Sequence, residues 1–149
     1  MLPVEIVFMA PEHLDHVIRI EQVSFTLPWS RESFLGEIQA NDHATYVVAL
    51  RPGSSQVLGY AGMWLVLNEA HITTLAVDPQ HRRKNIASLL LGRLMREAFL
   101  KGGRIMFLEV RDSNTDARKL YEKFRFKIRG RRKQYYSDED ALVMSRPLM

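Results

Sequence analysis

No cysteine occurs among the 149 residues, which removes disulfides, thiolate metal sites and a cysteine nucleophile together. Long hydrophobic runs are missing too. The longest apolar stretches, such as residues 63–67, fall far short of the roughly 20 residues that a membrane-spanning helix needs. Residues 1–10 carry Glu5 and no basic segment, which speaks against a secretory signal. Linkers, repeats and low-complexity segments are absent, and the expected elements follow one another closely, as in one compact domain over residues 1–149. His13 and His16 lie one helical turn apart without an acidic or cysteine partner at ligand spacing, and His71 and His81 stand isolated, so no metal site is expected. These absences leave a cytoplasmic protein with no metal and no membrane contact.

What is present suits a folded chain: 46% apolar and 26% charged residues argue against disorder. A net charge of +4 favours anionic partners such as nucleic acid, phosphorylated cofactors or ribosomes. A charge of this size serves solubility equally well.

The hydrophobic pattern predicts a strand at residues 4–9, then a helix opened by Pro11 and carried by Leu14, Val17, Ile18 and Ile20 to about Phe25. After the break at Leu27-Pro28-Trp29, Ser30 caps a second helix with Phe34, Leu35 and Ile38 on its apolar side. Strands are expected at 45–50, 57–67 and 70–77, the last two joined by a tight hairpin at Asn68-Glu69. A third helix over 86–101 carries Ile86, Leu89, Leu90, Leu94, Met95, Ala98 and Phe99 as one buried stripe and ends at Gly102-Gly103. A strand at 105–110, a helix at 114–124 capped by Ser113 or Asn114, and a hairpin of strands 127–136 and 141–147 complete the chain. The order β-α-α-β-β-β-α-β-α-β-β implies an α/β (α+β) fold: a mixed, mostly antiparallel sheet of six or seven strands with helices on both faces. Strands 70–77 and 105–110 with the helix between them should form a βαβ crossover.

The most informative local feature runs from Val77 through Asp78, Pro79, Gln80, His81, Arg82, Arg83, Lys84, Asn85 and Ile86 to Ala87. A strand ends, a basic loop follows, and a helix begins. Free N–H groups and the positive dipole end make such a helix start an anion site. Arg82, Arg83 and Lys84 add charge, Asn85 tolerates a left-handed turn, and Ala87 is small enough to admit a pyrophosphate. A solvated basic loop capping an amphipathic helix is the plainer alternative.

At this point the chain resembles the GNAT superfamily. The family's cofactor loop reads Arg-Arg-x-Gly-x-Gly/Ala after a Val-Asp-Pro-like strand end, and this chain has Leu75-Ala76-Val77-Asp78-Pro79 and then Arg82-Arg83-Lys84-Asn85-Ile86-Ala87. Asn85 replaces the usual glycine, the next-best residue at positive φ. Within the superfamily the chain looks like the RimI-type enzymes, through Ser24-Phe25-Thr26-Leu27-Pro28-Trp29-Ser30, Leu108-Glu109-Val110-Arg111-Asp112-Ser113-Asn114, Leu120-Tyr121-Glu122-Lys123-Phe124-Arg125-Phe126 and Arg131-Arg132-Lys133-Gln134-Tyr135-Tyr136. Arg125 stands where that branch has glycine, so the preceding helix is expected to end differently. The resemblance spans nearly the whole chain. It implies the GNAT fold and acetyl transfer from acetyl-CoA to the N-terminal amine of a protein, the terminal alanine of a small-subunit ribosomal protein. Ribosome association then becomes a possible partner relationship. Transfer to a lysine side chain or a small-molecule amine, and a non-catalytic RNA- or ribosome-binding module, are the competing readings.

The chemistry needs a proton acceptor, a proton donor and a held thioester. Strand alternation puts Glu109 on the same face as Ile105 and Phe107, an apolar setting expected to raise its pKa, and the resemblance gives a matching glutamate the base role. A structural pair with Arg111 or Arg118 is the alternative. The resemblance makes Tyr121 the acid that protonates the leaving thiolate; a core tyrosine is the alternative. It also implies that Asn114 contacts the cofactor besides capping a helix, and that the backbone of Leu75, Ala76 and Val77 holds the pantetheine arm like an added strand and polarises the thioester. Trp29, Tyr135 and Tyr136 line the acceptor groove or pack in the core. Residues 129–133 form a basic stretch, plainer as a solvated strand face than as an RNA-binding patch.

Overall fold

The computed structural model describes residues 3–82 and 85–149. Arg83 and Lys84 of the expected phosphate loop lie outside the described residues. The elements are β1 (Glu5–Phe8), α1 (Leu14–Ser24), α2 (Arg31–Ala40), β2 (Ala44–Leu50), β3 (Val57–Val66), β4 (Glu69–Val77), α3 (Ile86–Leu100), β5 (Ile105–Arg111), α4 (Thr115–Lys123), β6 (Lys127–Arg132) and β7 (Ala141–Pro147). Their order is the expected one. The strands form one seven-stranded sheet in the order β1-β2-β3-β4-β5-β7-β6, antiparallel throughout except for the β4–β5 pair.

The period-2 alternation of side chains divides the core in two. In β2, Val47 and Ala49 enter the core under α3 and α4, with Leu90, Leu94, Met106, Leu108 and Tyr121. Tyr46 and Val48 enter the opposite core under α1 and α2, with Leu14, Val17, Phe34 and Tyr60. Neither core survives without the sheet between them.

Side-chain caps open two of the four helices among the described residues. Ser30 accepts from the Ser33 N–H at the start of α2, and Asn114 Oδ1 accepts from the Ala117 N–H at the start of α4. Pro11–His13 forms a short 3-10 turn, so α1 proper begins at Leu14. In α3 the buried stripe differs slightly from the expected one. Leu91 is buried, while Leu89 and Phe99 lie at the exposed margin. The β3–β4 hairpin turns one residue earlier than expected, at Leu67-Asn68, with Leu67 at φ 56°.

Two details of β4 shape the sheet where β4 meets β5. Its parallel ladder to β5 contains only Glu69–Ile105, Ala70–Met106 and His71–Phe107. Beyond these pairs β4 continues to Val77 and β5 to Arg111, each bonded, among the described residues, only to its other neighbour, β3 or β7. The strands therefore part into a fork. A register shift beside this point pairs Gly62 with Thr74 and Met63 with Ile72, which leaves Thr73 as an extra residue in β4. Such a bulge bends and twists its strand, here just past the last ladder pair. Tyr46 Oη sits 2.9 Å from Thr73 Oγ1 and fixes the bulge from the side of α2. Gly62 makes this possible, because a Cβ there would lie 2.2 Å from the Tyr46 ring.

Candidate active site

The fork has three walls. Leu75, Ala76 and Val77 form its β4 side. Leu75 and Val77 pack on the α3 core and Ala76 on the α1/α2 core, while their backbone has no strand partner on the β5 side among the described residues. Free main-chain donors and acceptors along a strand edge are what an extended, amide-bearing ligand can pair with. The amino end of α3 closes one end. Asn85 adopts φ 66° and ψ 13°, the left-handed conformation its position requires, and its side chain makes no capping bond. Ile86 is buried and Ala87 half-buried behind it. Arg82 is exposed, and its Nε is 3.4 Å from the Val77 carbonyl.

The third wall is β5, where Leu108 and Val110 point into the α3/α4 core and Glu109 points the other way. Its side chain is 6% exposed. Oε1 lies 2.8 Å from His71 Nε2 and accepts from the Tyr135 hydroxyl at 3.5 Å. Oε2 is buried and finds no partner among the described residues. Burial pushes the Glu109 carboxyl up, but the hydrogen bond and charge of His71, with Arg132 and Tyr135 behind them, outweigh it and hold the pKa below the ordinary glutamate value. The raised pKa expected from the apolar face is thus corrected. The alternating pattern showed Ile105 and Phe107 but not the histidine across the ladder. His71, isolated in sequence, is Glu109's partner. The arginine alternative fails as well: Arg111 binds Asp138 and Glu139 at 2.7 and 3.1 Å, and Arg118 donates to the Asp112 carbonyl at 3.1 Å.

Tyr121 projects from α4 into the α3/α4 core, edge-on to Phe126 at 5.7 Å. Burial, then the neighbouring Tyr136, raises its hydroxyl pKa well above the usual phenol value, so the group carries its proton at every physiological pH. Arg125, after α4, takes φ 69° and so accepts the backbone conformation of the glycine it replaces.

The three aromatic groove candidates separate. Strand β6 stops at Arg132, shorter than expected, because Gln134 and Ser137 turn left-handed at φ 50° and 71°. Tyr135 and Tyr136 therefore lie in a turn. Tyr135 is 47% exposed and reaches Glu109. Tyr136 meets Tyr135 edge-on at 5.0 Å and lies beneath the Arg111 guanidinium, and its hydroxyl is pushed up to about 12, chiefly by burial. Trp29 is elsewhere. Its indole packs on Phe34 at 5.4 Å and Tyr46 at 6.4 Å, and its backbone N–H donates to the buried Glu21 carboxylate at 2.9 Å. It serves the core beneath α2. In the basic stretch, Arg129 donates to Ser145, and Arg131 binds Asp112 and Asp140 at 2.7 and 3.1 Å. The exposed positive field is correspondingly reduced.

The chain matches known proteins in sequence and in fold. The family model for "Acetyltransferase (GNAT) family" matches residues 14–126. The chain belongs to the GNAT acetyltransferase family. It is 41% identical over 138 residues to a Bacillus subtilis (strain 168) protein provisionally named ribosomal protein bS18-alanine N-acetyltransferase, covering 91% of this chain and 90% of that one. The Salmonella typhimurium (strain LT2) ribosomal protein bS18-alanine N-acetyltransferase is 33% identical over 134 residues, 87% of this chain and 88% of that one. The crystal structure of the Escherichia coli ribosomal-protein-S18-alanine N-acetyltransferase superposes with a TM-score of 0.87 at 30% identity, over 98% of this chain and 94% of that one. The GNAT fold expected from the sequence is the fold observed.

An edge of unpaired amides can grip an extended arm, a helix start can take a phosphate group, an ionised carboxylate can accept a proton and a protonated phenol can give one. Among the described residues no cluster of three or more His, Asp or Glu could hold a metal ion, and no helix is long and apolar enough to cross a membrane.

Proposed function

We propose that this chain is a single-domain enzyme that transfers acetyl from acetyl-CoA directly to the N-terminal α-amine of a protein, the terminal alanine of a small-subunit ribosomal protein. The observation that carries the reading is the buried, half-unpartnered Glu109 carboxylate at the apex of the β4–β5 fork. The relatives named for bS18-alanine acetylation, matched along most of both chains, support the acceptor. Such a substrate puts the enzyme in the cytoplasm, in contact with the ribosomal protein and in possible association with the ribosome. Nucleic acid need not be bound directly.

The fork fits acetyl-CoA. The Leu75–Val77 backbone would hold the pantetheine arm, and the loop from Arg82 through Arg83, Lys84, Asn85 and Ile86 to Ala87 would hold the diphosphate. Asn114, at the start of α4, would hold the cofactor from the β5 side. Bound acetyl-CoA supplies an acetyl group activated as a thioester. Glu109, ionised because His71 outweighs its burial, accepts the proton of the acceptor amine. Since an α-amine has a pKa of roughly 7.7 to 8.0, modest basicity suffices. Tyr121 donates its proton to the departing thiolate; burial keeps the phenol protonated until then, and the developing negative charge on sulfur draws the proton off. Tyr135 and Tyr136 border the acceptor groove, and Trp29 supports it from the core.

The test is mass spectrometry of a mixed library of alanine-starting peptides, lysine peptides and small amines incubated with the protein and acetyl-CoA. Label on the α-amine of the ribosomal-protein peptide is expected. Label confined to lysine side chains or small amines would exclude the reading.

A further inference from the structure

The two oxygens of Glu109 are in different circumstances, and His71 makes the difference. Oε1 is engaged at 2.8 Å by His71 Nε2, whereas Oε2 is buried without a partner among the described residues. A carboxylate held at neither oxygen rotates and presents either one, since its terminal torsion is soft. An N–H donor on one oxygen fixes the plane and leaves the other free. The histidine is itself immobilised. Its ring stacks on Phe107 with centroids 4.6 Å apart and planes 11° from parallel, and His71–Phe107 is the last ladder pair before the strands part. The dyad therefore spans the two strands at the point where the fork opens. Its outer member is the histidine: the His71 side chain is 29% exposed and that of Glu109 6%.

We propose that His71 is a positioning residue for the transfer reaction: its Nε2–H donates to Glu109 Oε1 and so fixes the plane of the carboxylate that takes the acceptor amine's proton. The assignment rests on the proposed role of Glu109 as base. In the step it serves, the amine proton passes to the Glu109 carboxylate, the nitrogen lone pair bonds to the acetyl carbon, the carbon–sulfur bond breaks, and the sulfur takes the Tyr121 proton. The groups facing Glu109 are His71 from β4, Arg132 at the end of β6, and Tyr135 and Tyr136 from the turn beyond. Among them His71 is the largest influence opposing burial. Removing it leaves Oε1 only the 3.5 Å contact with the Tyr135 hydroxyl, which loosens the carboxylate, and moves its protonation toward neutral pH.

The experiment is steady-state kinetics from pH 5 to 9 on the full chain, with acetyl-CoA and an alanine-starting peptide, for wild type, His71→Ala, His71→Gln and Glu109→Gln. His71→Ala should lower kcat by about tenfold to a hundredfold, no more than the lower limit for losing the general base itself. Its KM for acetyl-CoA should stay within about twofold, and the acid limb of its profile should move to higher pH. His71→Gln places an amide N–H within reach of the same oxygen and should recover most of the rate. Two results would overturn the assignment while leaving Glu109 as base: His71→Ala matching wild type at every pH, or a slow His71→Ala whose acid limb is unmoved and whose defect His71→Gln shares. Full activity in Glu109→Gln would remove the base and the positioning role together.

Discussion

Glutamine at position 109 keeps the shape of the side chain and removes its ability to take a proton. A positioned general base contributes on the order of 10²- to 10⁴-fold in rate. The share it contributes depends on how much of the acceptor is already deprotonated. With an α-amine pKa of about 8, roughly one acceptor in ten is neutral at pH 7 and roughly nine in ten at pH 9. If Glu109→Gln costs about a hundredfold at pH 7, the deficit should shrink about tenfold by pH 9. The wild-type base stays ionised across this window, because the Glu109 pKa is held below the ordinary glutamate value. A depressed carboxylate pKa also stabilises the fold above the unfolded-state value, and that contribution is lost as pH falls through the lowered one. Rates are therefore compared at pH 6 and above, with thermal melts at each pH to show that both proteins are folded. The assay is initial-rate release of CoA thiol at saturating peptide and acetyl-CoA. Profiles that run parallel from pH 6 to 9, or a variant within twofold of wild type at pH 7, would refute Glu109 as the base.

Three further outcomes follow from the same structure. Tyr121→Phe should lower kcat about tenfold or more while acetyl-CoA affinity by calorimetry stays within about twofold; a large loss of affinity would make Tyr121 a packing residue instead. Arg125→Gly should stabilise the protein by about 1 kcal/mol in urea denaturation, since Arg125 sits at φ 69°, where a side chain is penalised; a destabilised variant would contradict that. Gly62→Ala should cost about 1–3 kcal/mol, because its new methyl group would fall 2.2 Å from the Tyr46 ring, and it should lower activity by disturbing the bulge that Tyr46 fixes at Thr73.

Much of the fold was legible because periodicity and capping are local signals. The order of all eleven elements, the Ser30 cap, a cap at Ser113 or Asn114 and the left-handed Asn85 could be read from short windows of sequence. What escaped was set by register between distant strands. His71 and Glu109 lie 38 positions apart, and only the parallel ladder that pairs His71 with Phe107 brings them together. The pKa of Glu109 was misjudged for the same reason. The early end of β6 depends on Gln134 and Ser137 turning left-handed, residues that do not announce such a turn as glycine would. Trp29 could equally have lined a groove or filled a core, and the neighbours that settle its packing, Phe34 and Tyr46, come from α2 and β2.

The central claim is that the β4–β5 fork is where acetyl-CoA meets its acceptor. A crystal structure of the protein with acetyl-CoA tests it most directly. The account predicts the pantetheine arm along Leu75–Val77, the diphosphate at the start of α3, and the thioester between Tyr121 and Glu109. Electron density for the cofactor outside the fork, or a thioester beyond reach of the Glu109 carboxylate even through one water, would contradict it.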